Sequence, residues 1–262
     1  MQIKYRRLAA LAVLILCGCR AGKAAAGPAD SFLQFVDMLD DTELKNKILE
    51  DTKEFKRLAR AMFKDEEQDA MLFVLADKQH FLDKTYAPAD LVSLDTLEWA
   101  VVNRSGLELR AVVIESLQAM SLQAQKEGVT LLISSCYRSY AYQEAVYARW
   151  VRELGQTEAD RVSARPGSSQ HQLGTVIDFG SINQSFNNTK AQIWLASHAA
   201  LYGWSLSYPQ GYEKETGYTY ESWHYRYIGA AAAAMQEKFF DNLQYKLLQF
   251  WNDHKNELNT II

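Results

Sequence analysis

The chain is poor in cysteine, in basic runs and in long apolar stretches, and each scarcity excludes something. Three cysteines occur in 262 residues, at Cys17, Cys19 and Cys136. If Cys19 becomes the mature N-terminus, only Cys136 is left, and no internal disulfide can form even in an oxidising compartment. The thiol of Cys136 reads as a small buried hydrophobe rather than a nucleophile. No lysine or arginine run follows the first residues and the net charge is -4, which argues against a nucleic-acid partner. Internal repeats, low-complexity tracts and nucleotide-binding glycine loops are absent. Apolar residues make up 48% and charged residues 23%, a balance that builds a core and excludes a disordered chain. The length leaves room for one good domain and an extra layer.

The apolar run Leu8 to Leu16 has nine residues, too few to span a bilayer as a helix. Behind Lys4, Arg6 and Arg7 it reads as an export signal. Leu16-Cys17-Gly18-Cys19 is similar to the end of a bacterial lipoprotein signal, with a leucine three before the acylated cysteine and a small residue just before it. Cys19 is the expected anchor; Cys17 is the poorer candidate because Leu16 precedes it. Ordinary cleavage after Ala24-Ala25-Ala26 is the alternative. Acyl chains on Cys19 would tether the protein to a membrane, at about 0.8 kcal/mol per buried CH₂. The expected product is an exported, membrane-anchored lipoprotein facing the periplasm or cell wall.

Three segments follow from the patterning: a signal segment and linker over 1–29, an N-terminal helical region over 30–85, and a larger domain over 86–262 that ends in a helix. In the helical region Ser31-x-x-Gln34 fits a capping box, and Phe32, Phe35, Val36 and Leu39 share a face. Leu44, Ile48, Phe55, Leu58 and Met62 predict a further helix or two, and Met71, Leu72, Val74 and Leu75 another. His80 lacks a partner at ligand spacing and reads as structural. Tyr86-Ala87-Pro88 breaks the helical pattern.

In the larger domain, Leu107 to Glu127 predicts a helix closed by Gly128. The β run Val129 to Ser134 leads to Ser135-Cys136-Tyr137-Arg138-Ser139, with Ser139 as N-cap of a helix Tyr140–Leu154. A helix over Thr189–Tyr202 turns Ile193, Trp194, Leu195 and Leu201 inward, and His198 sits on its polar or packing face. Two strands around a hairpin are expected in Trp204–Tyr220 and beyond. The stripe Met235, Phe239, Leu243, Leu247 and Trp251 predicts one final helix over Gly229–Leu258.

Two short stretches carry the chemistry. Ser163 to Gly180 reads SARPGSSQHQLGTVIDFG: a loop holding His171, then Gly174, then a strand in which Ile177 and Phe179 face away from Asp178. A carboxylate in an apolar strand must be paired or bound to a metal. Alone, the stretch fits either a metal site or a satisfied core aspartate beside a loop histidine. The second stretch, Tyr218 to Tyr227, adds Glu221 and His224 in Glu-x-x-His spacing. A catalytic zinc site needs three protein ligands, an open position for water and a nearby base. His171, Asp178 and His224 can supply the ligands, and Glu221 the base. In an ideal strand Glu221 and His224 would face opposite sides, so a bend is required for both to reach one ion.

Ser169-x-His171-x-x-Gly174-x-Val176-x-Asp178, followed by Glu221-x-Trp223-His224, resembles the VanY-type D-alanyl-D-alanine carboxypeptidases, zinc peptidases related to VanX and to the Hedgehog fold. The resemblance covers roughly Tyr86 to Gly229. Val176 stands where the family more often has alanine, a change that leaves the ligands untouched. The implied fold is α+β: a small antiparallel sheet with flanking helices, here with an N-terminal helical region and a C-terminal helix added. The implied cofactor is Zn²⁺ on His171, Asp178 and His224, with Glu221 as general base. Ser-x-Tyr-Arg-Ser is a similar family signature, which implies that Arg138 stabilises the oxyanion; a salt bridge from Arg138 to a carboxylate such as Glu144 is the alternative. Ser169 and Gln143 match substrate-binding positions, although Ser169 also suits a turn and Gln143 a brace. Arg165 pairs either with substrate carboxylates or with Asp160. The implied substrates are peptidoglycan stem peptides ending in D-Ala-D-Ala. L,D-carboxypeptidase or D,D-dipeptidase activity at the same site, or a non-catalytic wall-binding module, are the alternatives.

Overall fold

The computed structural model describes residues 28–262. The expected export segment, with Cys17, Cys19 and the linker as far as Gly27, lies outside them. Among the described residues no helix is long and apolar enough to cross a membrane.

Three helices come first: α1 (Pro28–Met38), α2 (Thr42–Glu50) and α3 (Thr52–Gln68). Asp41 caps α2 by accepting from the Leu44 N–H, and Asp51 both closes α2 and caps α3. α1 begins at Pro28, so Ser31 and Gln34 lie inside the helix and not at its start. The helix expected around Met71–Leu75 is also absent; the chain runs through turns and irregular backbone. Its carbonyls serve another purpose. Arg226 Nη2 donates to Leu72 O at 2.9 Å and to Val74 O at 2.8 Å. A buried guanidinium thus takes acceptors that a helix would have used internally.

Next come β1 (Leu91–Ser93), β2 (Glu108–Arg110), α4 (Ala111–Lys126), β3 (Ile133–Ser135), α5 (Tyr140–Leu154), α6 (Gln156–Val162) and β4 (Val176–Phe179). Residues 108–110 pair with β1 as a strand, so α4 starts later than its apolar pattern indicates. Gly128, at φ 74°, ends α4 in the expected way. Ser139 Oγ caps α5 by accepting from the Tyr142 N–H, also as expected. The chain continues through α7 (Lys190–His198), β5 (Trp204–Leu206), α8 (Glu213–Thr216), β6 (His224–Tyr227), α9 (Ala230–Phe239) and α10 (Gln244–Ile261). On α7, Trp194 and Leu195 are buried, but Ile193 faces solvent, as does Leu201 on the 3₁₀ turn Ala199–Tyr202 that follows. The predicted C-terminal helix is two helices. Asp241 and Asn242 take left-handed conformations, at φ 54° and 58°. Asn242 closes that turn by bonding Gln236 with both its N–H and its side chain.

β3, β4, β6 and β5 form one antiparallel sheet in that order. Its apolar side, with Ile177, Phe179 and Trp204, packs against Leu117 and Met120 of α4. A second core joins the first and last of the described helices: Phe35, Phe55 and Met62 pack with Phe239, Leu247 and Trp251. The α+β class with helices at both ends is as the sequence predicts.

Candidate active site

Sheet register assembles the site. Asp178 on β4 lies directly opposite His224 on β6, and on its other side it pairs with Ser135 of β3. The register shifts between Ile133 and Ser135, and the chain then leads through Arg138 into α5. His171 sits on a 3₁₀ turn, Gln170–Leu173, that Gly174 closes in a left-handed conformation before β4 begins. The spacing His171-x-x-Gly174-x-x-x-Asp178 is therefore one turn, one reversal and half a strand. Glu221 precedes β6 in a turn closed by the His224 N–H donating to Glu221 O at 3.2 Å. This is the bend that the Glu-x-x-His spacing requires. The hairpin's second strand begins at His224, so Glu221 is a turn residue and not a strand residue.

His171, Asp178 and His224 are all buried, and one donor atom from each lies within 4.8 Å of the others. His171 Nε2 stands 3.2 Å from Asp178 Oδ2, and His224 Nδ1 stands 3.1 Å from Asp178 Oδ1. These contacts have a particular polarity. His171 Nδ1 is 2.6 Å from the Cys136 carbonyl, which can only accept, so Nδ1 carries the proton and Nε2 presents a lone pair. Burial, reinforced by the Arg138 charge, pulls the His171 pKa down to about 4, so the ring is neutral at pH 7. Burial works to raise the Asp178 carboxyl, but the charge and hydrogen bond of Arg138 hold it well below the usual carboxylate range. Asp178 Oδ1 is fully buried without a hydrogen-bond partner. Two imidazole nitrogens and a carboxylate therefore converge on one point. Such a donor set fits a divalent cation, and two imidazoles with one carboxylate suit zinc.

Glu221 Oε2 approaches His224 Nδ1 at 3.4 Å. Burial, then the neighbouring Asp178 charge, pushes its carboxyl well above the ordinary value. Arg138 Nε and Nη2 donate to Ser135 Oγ at 2.9 and 2.7 Å, and Nη2 donates to Asp178 Oδ2 at 2.6 Å. Its carboxylate partner is thus Asp178 and not Glu144, and none of these bonds uses Nη1. These residues line a cleft of about 600 Å³ that also takes in Ser169 and Gln143. The Ser169 hydroxyl makes no capping bond to the turn it precedes. Gln143 Nε2 donates to Ala164 O at 2.7 Å, bracing the loop that leads to His171.

Other sequence candidates fall elsewhere. Arg165 is paired with Asp160 through two bonds of 2.8 Å. His80 has a partner after all, Asp77 three residues before it at 2.9 Å. His198 stacks on Trp194 with ring centroids 4.5 Å apart. Buried Cys136 contributes its carbonyl and not its thiol. The sequence reading missed Gln170, whose Oε1 lies 3.2 Å from His224 Nε2, and Tyr208, whose ring lies 4.8 Å from that of His224. Adjacency to His171 is the one signal that could have flagged Gln170.

The chain is similar to known proteins. Residues 106–230 match the family model VanY: D-alanyl-D-alanine carboxypeptidase. YodJ of Bacillus subtilis (strain 168) is 34% identical over 171 residues, 62% of this chain and 62% of YodJ. The chain thus spans less than two thirds of that relative's length. VanXYC of Enterococcus gallinarum, a bifunctional D-Ala-D-Ala dipeptidase and D-Ala-D-Ala carboxypeptidase, is 30% identical over 163 residues, 59% of this chain and 82% of VanXYC. The solved structure of the LD-carboxypeptidase LdcB superposes with a TM-score of 0.62 at 31% identity, covering 68% of this chain and 86% of LdcB. With its histidines and aspartate converging on sheet register and with relatives at this level of identity, the chain belongs to the VanY D-alanyl-D-alanine carboxypeptidase family.

Proposed function

We propose that this chain is a zinc-dependent carboxypeptidase that removes the terminal D-Ala from peptidoglycan stem peptides ending in D-Ala-D-Ala. The observation that carries the reading is the convergence of His171 Nε2, Asp178 and His224 Nδ1, with Glu221 beside them in a cleft. Zinc held by these three residues would supply a Lewis acid and lower the pKa of a water ligand toward about 7. Glu221 takes the proton as water attacks the peptide carbonyl carbon, and passes it to the leaving amine as the C–N bond breaks. Its buried surroundings raise its proton affinity toward what that exchange needs. Arg138, fixed by Ser135 and Asp178, turns its remaining donors to the oxyanion; a guanidinium keeps its charge and its fork throughout. Ser169 hydrogen-bonds the substrate, and Gln143 holds the loop that carries Ser169.

The likeness to LdcB favours a second reading, in which the same residues cut an L,D bond. Chromatography of the products from tetrapeptide and pentapeptide stems separates the two. The lipid anchor at Cys19 and a location facing the periplasm or cell wall belong to this proposal, supported by the signal-like residues 1–19. So does the division into an accessory helical region over 30–85 and a catalytic region over 86–262. The experiment is metal analysis of the purified chain followed by D-alanine release from a pentapeptide. Glu221→Ala should keep its zinc and lose turnover. Unchanged hydrolysis in that variant removes Glu221 from its role.

A further inference from the structure

A neutral imidazole must present the correct nitrogen to a cation. His224 turns Nδ1 toward Asp178 and Glu221, so for Nδ1 to hold a cation there the ring proton has to sit on Nε2. Nε2 lies 3.2 Å from Gln170 Oε1. A side-chain amide can be turned over, and its NH₂ would then face the ring and drive the proton onto Nδ1. Some group must therefore set the sense of the Gln170 amide.

The deciding group is a backbone carbonyl. Gln244, the first residue of α10, donates from Nε2 to Ser205 O at 3.3 Å. A carbonyl only accepts, so the Gln244 amide is held one way round. Its Oε1 then accepts from Gln170 Nε2 at 3.4 Å, which leaves Gln170 Oε1 facing His224. Ser207 Oγ donates to Gln170 Oε1 at 2.7 Å and lies 3.2 Å from Gln244 Oε1. A hydroxyl can donate or accept, so Ser207 strengthens the arrangement without choosing its sense. Gln170, Ser205, Ser207, Gln244 and His224 are all buried. A reversed amide would oppose donor to donor where water cannot mediate. The chain of bonds runs on from Ser205 Oγ to Gln236 Oε1 at 2.7 Å, and from Gln236 Nε2 to Asn242 Oδ1 at 2.7 Å. It thereby ties the start of α10 to the turn that precedes it.

We propose that Gln244 is a positioning residue for the metal site: through Gln170 it holds His224 in the Nε2–H form that frees Nδ1 for the cation. The inference rests on the metal reading above. It gives α10, which lies outside residues 106–230, a part in the site.

The test uses the full chain and three variants. Gln244→Leu keeps bulk but removes the acceptor. Gln244→Glu keeps an acceptor oxygen toward Gln170 in either protonation state. Leu248→Ala, a buried position one turn along α10, perturbs packing alone. Long-range ¹H–¹⁵N NMR of the metal-free protein reads the His224 tautomer, and chelator competition reads the zinc Kd. Wild type and Gln244→Glu should keep His224 Nε2 protonated and bind zinc alike. Gln244→Leu should show mixed tautomers and a zinc Kd about tenfold weaker, the low end for loss of an outer partner of a ligand histidine. Leu248→Ala should lower Tm and leave tautomer and zinc Kd unchanged. Wild-type tautomer and zinc affinity in Gln244→Leu would overturn the proposal. Equal losses in Gln244→Leu and Leu248→Ala, or no rescue by Gln244→Glu, would overturn it too. If the wild-type chain binds no zinc at all, the metal reading falls, and the tautomer measurement still decides whether Gln244 governs His224.

Discussion

Replacing Gly174 by alanine should destabilise the chain more than the same change at another left-handed glycine. Gly174 sits between His171 and Asp178 at φ 71°. A left-handed conformation costs an L-residue about 1–2 kcal/mol. A Cβ there would also stand 2.8 Å from Arg110 Cγ and 3.1 Å from Pro88 Cγ. Arg110 is not free to swing aside, because Nε bonds Asp90 at 2.8 Å and Nη1 bonds Asp69 at 2.5 Å. Losing one such charge-assisted bond costs about 1.5–3 kcal/mol. Together the two effects come to about 2.5–5 kcal/mol. At about 2–4 °C per kcal/mol for a chain of this size, Tm should fall by about 5–20 °C. Gly211, at φ 89° with no atom within 4 Å of its would-be Cβ, isolates the backbone effect. Gly211→Ala should cost only about 1–2 kcal/mol. Thermal unfolding followed by circular dichroism compares them, and zinc affinity should drop only in Gly174→Ala. Equal Tm shifts in the two variants would refute the reasoning.

Arg138→Lys keeps a charge but loses the fork that spans Ser135 and Asp178, so kcat for D-alanine release should fall about 100- to 1000-fold with little change in KM; a raised KM at constant kcat would assign Arg138 to ground-state binding. The hydrogen bonds from Arg165 hold the Asp160 carboxyl down at about 2, so the stability this pair contributes is present above the unfolded value of about 3.9 and is lost as pH falls through about 2. NMR titration should find that midpoint, and Arg165→Gln should return it toward the unfolded value. The proposed mechanism has no acyl-enzyme serine, so mass spectrometry should find no covalent adduct after incubation with penicillin.

The site was more legible than the scaffold around it, because its signals are local. His171, Gly174 and Asp178 lie within one turn and one strand, and Glu221 and His224 within another turn, so spacing alone carries their geometry. The expected bend before His224 is present because the 221–224 turn lets both side chains reach one point. Partners that act through backbone or across the fold left no such trace. The Cys136 carbonyl has no side-chain signature, and Gln170 reads as one more polar loop residue. Helical periodicity misled where a tertiary demand prevailed: Met71–Leu75 has helical spacing, yet its carbonyls go to Arg226. Ile193 on α7 and Leu201 on the turn after it read as core, but Trp194 and Leu195 fill the space. The break between α9 and α10 was hidden because its two left-handed residues are Asp241 and Asn242 and not glycine.

Diffraction at the zinc absorption edge, from crystals of the full chain grown with zinc, reaches the central claim most directly. One anomalous peak should lie about 2.0–2.2 Å from His171 Nε2, an Asp178 oxygen and His224 Nδ1. A map with no peak there, or with zinc held by other side chains, would contradict it.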